Sequence, residues 1–429
     1  MFLLSIMAWL ALLLVVFIGA VYEWRRGSPI LIFYLAVFGI FLLPMLSAIN
    51  GYGGREIDIC FQALVFAFFY MLAFLLIRVF LISVLGTYDV WRPLLDNCSS
   101  LTSYLPFWSL TLFLSVCLFV IGLDITSIER VVMLDWWDLV RSGSPIVLLA
   151  TYLVYVSGGI SLAYFFGAKG SRLSNCRYFI LFVFFLLFSV FILKTRSYLL
   201  VMLMPVLAYM LVSSKSTGLI KVALLGVLVA FLFFLARSVR HAGSIGGFID
   251  AFSVEQFLGA MSGGELTFVD AFLFFVERNN EFPGFGENIT LIRTALFWLP
   301  GFLLDLKPVE FSYYMHSAYY GSLVSDSLSM HPTVFGDAYG NAGFWGFIIY
   351  SAFLSLFFSI LEFFVRLDKG CFLRGCGFSI LSVSTLIFAR GAIYNGFMFT
   401  LLPFVFCLFC LYFFLALSNL RVRLLAGCK

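Results

Sequence analysis

Charge is scarce in this sequence. Its 26 Lys and Arg and 22 Asp and Glu make up 11% of 429 residues, against roughly a quarter in soluble domains. With a mean hydropathy of +1.09, that scarcity excludes a soluble globular protein. Histidine is rarer still: all three residues, His241, His316 and His331, fall in the stretch 237–341. Cysteine is missing from that same stretch, so no disulfide framework is needed there. Also absent are an Asp-x-Asp motif, a phosphate-cradling Gly-rich loop and paired metal-ligand spacing, which leaves no expected cofactor and no expected metal. Nothing in the charge pattern points to nucleic acid. Strict apolar–polar alternation, the mark of a membrane barrel, is lacking too.

What remains is one long apolar run after another. A bilayer core of about 30 Å needs on the order of 20 apolar residues per helix, with every backbone polar group paired inside the segment. On that scale the runs predict about eleven transmembrane helices in an all-α polytopic membrane protein: 2–22, 29–47, 59–77, 105–123, 145–166, 178–193, 198–212, 222–236, 344–365, 378–389 and 397–417. The first run is uncharged up to Glu23 and lacks both a basic leader and a small-residue cleavage site, so it reads as a retained anchor. No internal repeat divides the chain, and residues 1–429 read as a single membrane domain.

Lys and Arg gather on one set of loops. Loops 23–28, 78–104, 167–177, 213–221 and 366–377, with the tail from Ser418, hold 15 of the 26 basic residues and, counting Glu362, only five acidic ones. The opposite loops hold 11 basic and 17 acidic residues. The positive-inside rule therefore predicts a cytoplasmic C-terminus and a large extracytoplasmic loop at 237–341. Each of the nine cysteines then lies in a helix or on the reducing side. Cys407-x-x-Cys410 sits in an apolar run with no histidine nearby and reads as packing.

The loop holds eleven of the 22 acidic residues. Within it, 266–276 and 289–304 are apolar but interrupted by Asp270, by Arg293 and by Pro300-Gly301. Both are expected as helices lying at the outer interface or dipping into the bundle. The loop ends in His331-Pro332-Thr333, followed by Gly336, Asp337, Gly340, Asn341, Gly343 and Gly346. The spacing predicts a helix with a bare glycine face at 336, 340 and 343, suited to close approach. Asp337 and Asn341, four apart, share an adjacent face.

The order of features, with Lys-Thr-Arg-Ser at 194–197 opening a helix, then Leu299-Pro300 and Lys307-Pro308, then Pro-Thr-x-x-Gly-Asp-x-Tyr-x-Asn-x-Gly-x-x-Gly at 332–346, resembles the O-antigen polymerase (Wzy) family of bacterial surface polysaccharide synthesis. The resemblance implies a GT-C-like helical fold in the inner membrane. It implies metal-independent glycosyl transfer between undecaprenyl-pyrophosphate-linked oligosaccharide repeat units, with membrane lipid and a chain-length regulator of the pathway as further partners. The O-antigen ligases share that architecture, so ligation stays open. A lipid-linked oligosaccharide flippase is the alternative from another class, though a transporter favours charges near the midplane and two related halves.

Such a reaction needs fixed cations for the leaving pyrophosphate, and arginine binds phosphate oxygens in pairs. Arg196, Arg237, Arg240 and Arg390 stand at helix ends on the outer side and are the candidates, with anchoring by lipid headgroups as the alternative. The accepting hydroxyl must lose a proton. His331 is the first candidate base and Asp337 the next, while Glu287, His316 and Asn341 are candidates for contact with the acceptor sugar.

Overall fold

In a computed structural model the described residues are 1–51, 54–127, 134, 144–167, 176–213, 226, 266–279, 284–299, 308–321 and 329–427. Among them the secondary structure is helical throughout, with no strand. Among the described residues eight helices are long and apolar enough to cross a membrane, and two shorter apolar ones, Arg177–Ile192 and Ser197–Ser213, accompany them. These ten match ten of the expected runs. The remaining one, 222–236, lies outside the described residues. The chain has the build of a helical multi-pass membrane protein.

The described chain clusters into two compact units. One comprises Met1–Asp89, Met261–Phe363 and Ser384–Met398; the other comprises Val90–Ala260, Phe364–Val383 and Phe399–Lys429. In the second unit small residues set the spacing around buried aromatics. A Cβ at Gly159 would lie 2.3 Å from the Trp108 ring, and one at Gly375 would lie 2.9 Å from Leu101.

The first unit begins with Phe2–Arg26, whose 25 residues give a rod of about 37 Å at 1.5 Å per residue. Ser5, Leu12, Val15, Val16, Gly19, Glu23 and Arg26 are buried along one stripe, at the three- and four-residue steps of a single helix face. Leu3, Leu10, Leu14 and Phe17 point outward and are more than half exposed, as a lipid-facing side requires. The next apolar rod widens into a π turn at Phe38–Leu42. Pro44 lies just beyond and has no N–H to offer the carbonyl four residues back, so the turn opens. Within that turn, Phe41 packs 4.6 Å from Phe335 and 5.9 Å from Phe272.

Helices Ile57–Leu85 and Gly346–Leu367 run side by side in the same direction. Phe69 meets Phe347, Phe74 meets Phe358, and the Ser355 hydroxyl donates to the Phe74 carbonyl at 3.1 Å. Toward their C-terminal ends four fully buried charges close on one another. Arg78 donates to Glu23 at 2.9 Å and to Glu362 at 2.7 Å, and Arg26 donates to the same two carboxylates at 2.6 and 3.0 Å. Ser359 and the Thr87 carbonyl accept further guanidinium hydrogens. Two positive and two negative groups thus cancel inside an apolar bundle. Removing one partner of such a group strands a buried charge at a cost of about 3–5 kcal/mol.

Within 237–341 the described residues include helices in both of the apolar segments expected to form them. Leu266–Arg278 packs Phe272 against Phe66 and Phe335, and Phe275 in a cluster with Ile289, Phe311 and Met315, so it belongs to the packed interior of the unit. The helix expected over 289–304 ends at Ala295, where the turn following Leu296 takes the chain out of helical geometry. Phe311–Tyr320 forms a further helix. The span expected from Phe344 begins earlier, at Thr333, and runs to Leu367 with a break at Gly343–Trp345. Phe344 and Trp345 at that break are 50% and 70% exposed.

Candidate functional site

Helix Thr333–Ala342 is buried on nearly all sides, with eight of its ten residues out of solvent. Two of the expected face glycines fit that packing. A Cβ at Gly336 would lie 2.7 Å from Pro332, and one at Gly340 would lie 2.7 Å from both Met315 and Phe311. Gly343 departs from the expectation. At φ 57° and ψ −146° it ends the helix in a backbone conformation essentially reserved for glycine, and so cannot continue the face.

The helix is held at both ends. At its C-terminus the free carbonyls of Gly340 and Asn341 accept the N–H groups of Gly286 and Asn288, both at 2.9 Å, which satisfies orphan acceptors that would otherwise be buried. At its N-terminus Thr333 adopts φ 67°, a left-handed conformation that is an outlier for a β-branched residue and stores on the order of 1–3 kcal/mol. Gly391 allows the contact that holds it there, since a Cβ at that position would lie 2.3 Å from the Thr333 carbonyl oxygen.

Asp337 and Asn341 point together, as their spacing predicts. The Asn341 amide donates to Asp337 Oδ1 at 2.8 Å and to Thr290 Oγ1 at 3.0 Å, and its Oδ1 accepts the Thr290 N–H at 2.9 Å. Thr290 Oγ1 lies 3.1 Å from Asp337 Oδ1. Asp337 Oδ2 accepts the Ile393 N–H at 3.1 Å, which caps the helix beginning there and places a carboxylate at its positive end. Asp337 is therefore engaged by three segments of its own unit, an arrangement that positions them and leaves it little capacity for a substrate.

His331 is half-buried, and its Nδ1 is enclosed without a hydrogen-bond partner. Burial first and the neighbouring Arg390 guanidinium second push its pKa down to about 3, against a hydrogen bond with the Gly391 backbone. The ring is neutral near pH 7. It can accept a hydrogen bond at Nδ1, but it holds a proton poorly. Arg390 itself lies 5.0 Å from the Phe268 ring.

Sequence reasoning missed Glu310. This carboxylate is buried, and its Oε1 accepts from Ser312 Oγ at 2.7 Å and from Asn395 Nδ2 at 3.0 Å. Arg293 acts on it electrostatically; that guanidinium donates to the Pro308 carbonyl at 2.7 Å and lies 4.7 Å from the Tyr394 ring. The Met330 N–H bonds the Ser312 carbonyl at 3.0 Å, so His331 follows directly on the residue paired with Glu310's segment. Burial raises the Glu310 carboxyl above the usual range, and Ser312, Arg293 and Asn395 oppose that rise. The one local hint in the sequence is an acid two residues after Pro308.

The other expected residues scatter. Glu287 is exposed on the turn before Thr290. His316 sits on Phe311–Tyr320 with its ring 4.6 Å from Tyr320, and partial burial lowers its pKa. Arg196 belongs to the second unit, immediately before helix Ser197–Ser213. Arg237, Arg240, His241 and Lys307 lie outside the described residues. Among the described residues no three His, Cys, Asp or Glu side chains are placed to hold a metal ion. The chain matches no family model, no curated protein and no solved structure.

Proposed function

We propose that the chain is a polysaccharide polymerase of the bacterial inner membrane, joining undecaprenyl-pyrophosphate-linked oligosaccharide repeat units by metal-independent glycosyl transfer. In this reading it crosses the membrane about eleven times in a GT-C-like arrangement. The stretch 237–341 is periplasmic and the C-terminus cytoplasmic. The observation that carries the reading is the enclosed, unpartnered Nδ1 of His331 beside the Arg390 guanidinium, at the head of the 332–346 stretch that resembles the Wzy motif. A neutral ring nitrogen without a partner suits a sugar hydroxyl as donor, and a guanidinium beside it suits phosphate oxygens. The strained Thr333 fits as well, because such outliers cluster at functional sites.

In the proposed step the acceptor hydroxyl hydrogen-bonds to His331 Nδ1, which orients its oxygen toward the anomeric carbon of the donor. Arg390 stabilises the charge gathering on the departing pyrophosphate. Asp337 positions Thr290, Asn341 and the start of the helix at Ile393.

The test is purified protein incubated with lipid-linked repeat units and scored for chain extension, together with the lipopolysaccharide banding of a deletion strain. Extension in vitro and a core capped with a single repeat unit in the deletion strain are expected. A bare core with polymer accumulating on the lipid carrier would assign ligation instead, and failure of units to reach the outer face would assign transport.

A further inference from the structure

The turn that joins helices Phe372–Arg390 and Ile393–Gly427 touches the site along most of its length. Arg390 stands beside His331, Gly391 packs on Thr333 and the Ile393 N–H is held by Asp337. Tyr394 then meets Arg293, and Asn395 donates to Glu310. The turn therefore has a guanidinium at each end. Arg390 is exposed and lies over the Phe268 ring at 5.0 Å, while Arg293, half-buried, lies over the buried Tyr394 ring at 4.7 Å. Four residues separate Arg390 from Tyr394, so even an extended chain would keep their backbones within about 14 Å.

A ring face attracts a guanidinium through its quadrupole but leaves its positive charge in place, as a bonded carboxylate would not. Arg293 also has donors to spare. One serves the Pro308 carbonyl at 2.7 Å, and Nε has no partner. Glu310 acts on Arg293 electrostatically and takes its own hydrogen bonds from Ser312 and Asn395. Thr290, one turn before Arg293 on the same short helix, is bonded to Asp337 and Asn341, which fixes that helix against the helix following His331. Of the arginines expected for phosphate, Arg390 belongs to this unit and Arg196 to the other; the sequence offered Arg293 only as an interruption of an apolar run.

We propose that Arg293 is the second arginine of the pyrophosphate seat. Arg390 holds one phosphoryl group and Arg293 the other, each through its planar fork, so the site selects a lipid diphosphate over the monophosphate. The assignment rests on the reading that the donor is a lipid pyrophosphate. Tyr394 is a positioning residue, acting through the guanidinium it carries.

The test titrates the full chain in detergent with geranylgeranyl diphosphate and with geranylgeranyl monophosphate, beside the chain-extension assay. The wild type should bind the diphosphate about tenfold or more tightly than the monophosphate, the worth of charge-assisted hydrogen bonds. Arg293→Gln should unfold at the wild-type temperature and bind the two lipids alike; Arg293→Lys should keep part of the preference, having the charge without the fork. A folded Arg293→Gln protein with the wild-type preference overturns the assignment and leaves the polymerase reading standing. Should that variant fail to fold, an unchanged preference in Tyr394→Leu overturns it instead, since only Tyr394→Phe is expected to retain the ring contact. A wild type without any preference overturns both the seat and the lipid-pyrophosphate donor. A preference lost in Arg293→Gln, in a protein that never extends chains, upholds the seat and removes the polymerase reading alone.

Discussion

The first unit buries two polar clusters, and they are built on opposite logic. Glu23, Arg26, Arg78 and Glu362 have no exposed surface, and each charge is paired with two of opposite sign. The group around His331, Asp337 and Glu310 is uneven. Asp337 and Glu310 accept hydrogen bonds from neighbouring segments, whereas His331 Nδ1 is enclosed without a partner. A closed, neutral network can only hold helices together. One with acceptors left over can also receive a donor from elsewhere, and that separates a girder from a site.

The largest way to break this contrast is Arg78→Met, which keeps bulk but strands Glu23 and Glu362. It should destabilise by about 3–5 kcal/mol, seen as lost membrane accumulation and early unfolding in detergent; a stable Arg78→Met protein would mean that the network is not structural. Asp337→Asn comes next. Its amide must face either the Ile393 N–H or the Thr290 and Asn341 donors, leaving a buried donor unpaired at about 1–3 kcal/mol, so unfolding temperature and chain extension should drop together.

His331→Ala should spare folding near neutral pH and slow extension by about tenfold, the worth of one hydrogen bond; an unchanged rate removes the residue from the reaction. Its depressed pKa also fixes a sign. The unfolded ring binds a proton near pH 6.5 and the folded one only near 3, so the stability it links is present above pH 6.5 and is lost as pH falls between those values. Acid unfolding curves of the Ala variant should be flatter there. Smallest of all is Arg55→Ala. Arg55 pairs with Asp270 and Glu277 where all three are partly exposed, and its removal should cost no more than about 1 kcal/mol.

The parts of this arrangement that could be read from sequence are the local ones. Asp337 and Asn341 are four residues apart, and helical geometry alone makes them neighbours. Thr290, Glu310 and Asn395 reach the same place from segments tens of residues away, and nothing in their local pattern announces it. Arg26, Arg78, Glu23 and Glu362 entered the charge count as inside-facing residues, whereas they face one another. The predicted orientation is unaffected, since two of each sign drop out and the excess of ten positive charges stands. The left-handed backbone at Thr333 was illegible for a plainer reason: β-branched residues avoid it, and only the packing of Gly391 holds it there.

The interruption at Gly343–Trp345 has a consequence for the lipid. A largely exposed tryptophan beside an exposed phenylalanine, at the junction between the buried helix and the 22-residue rod that follows, forms an aromatic mark of the kind that settles at headgroup level. The depth of that mark in the bilayer sets the height of everything joined directly above it, including Asn341 and Asp337. Acyl-chain length thereby becomes a coordinate of the site, because a thicker or thinner bilayer must tilt the rod or draw the aromatic pair from its preferred plane.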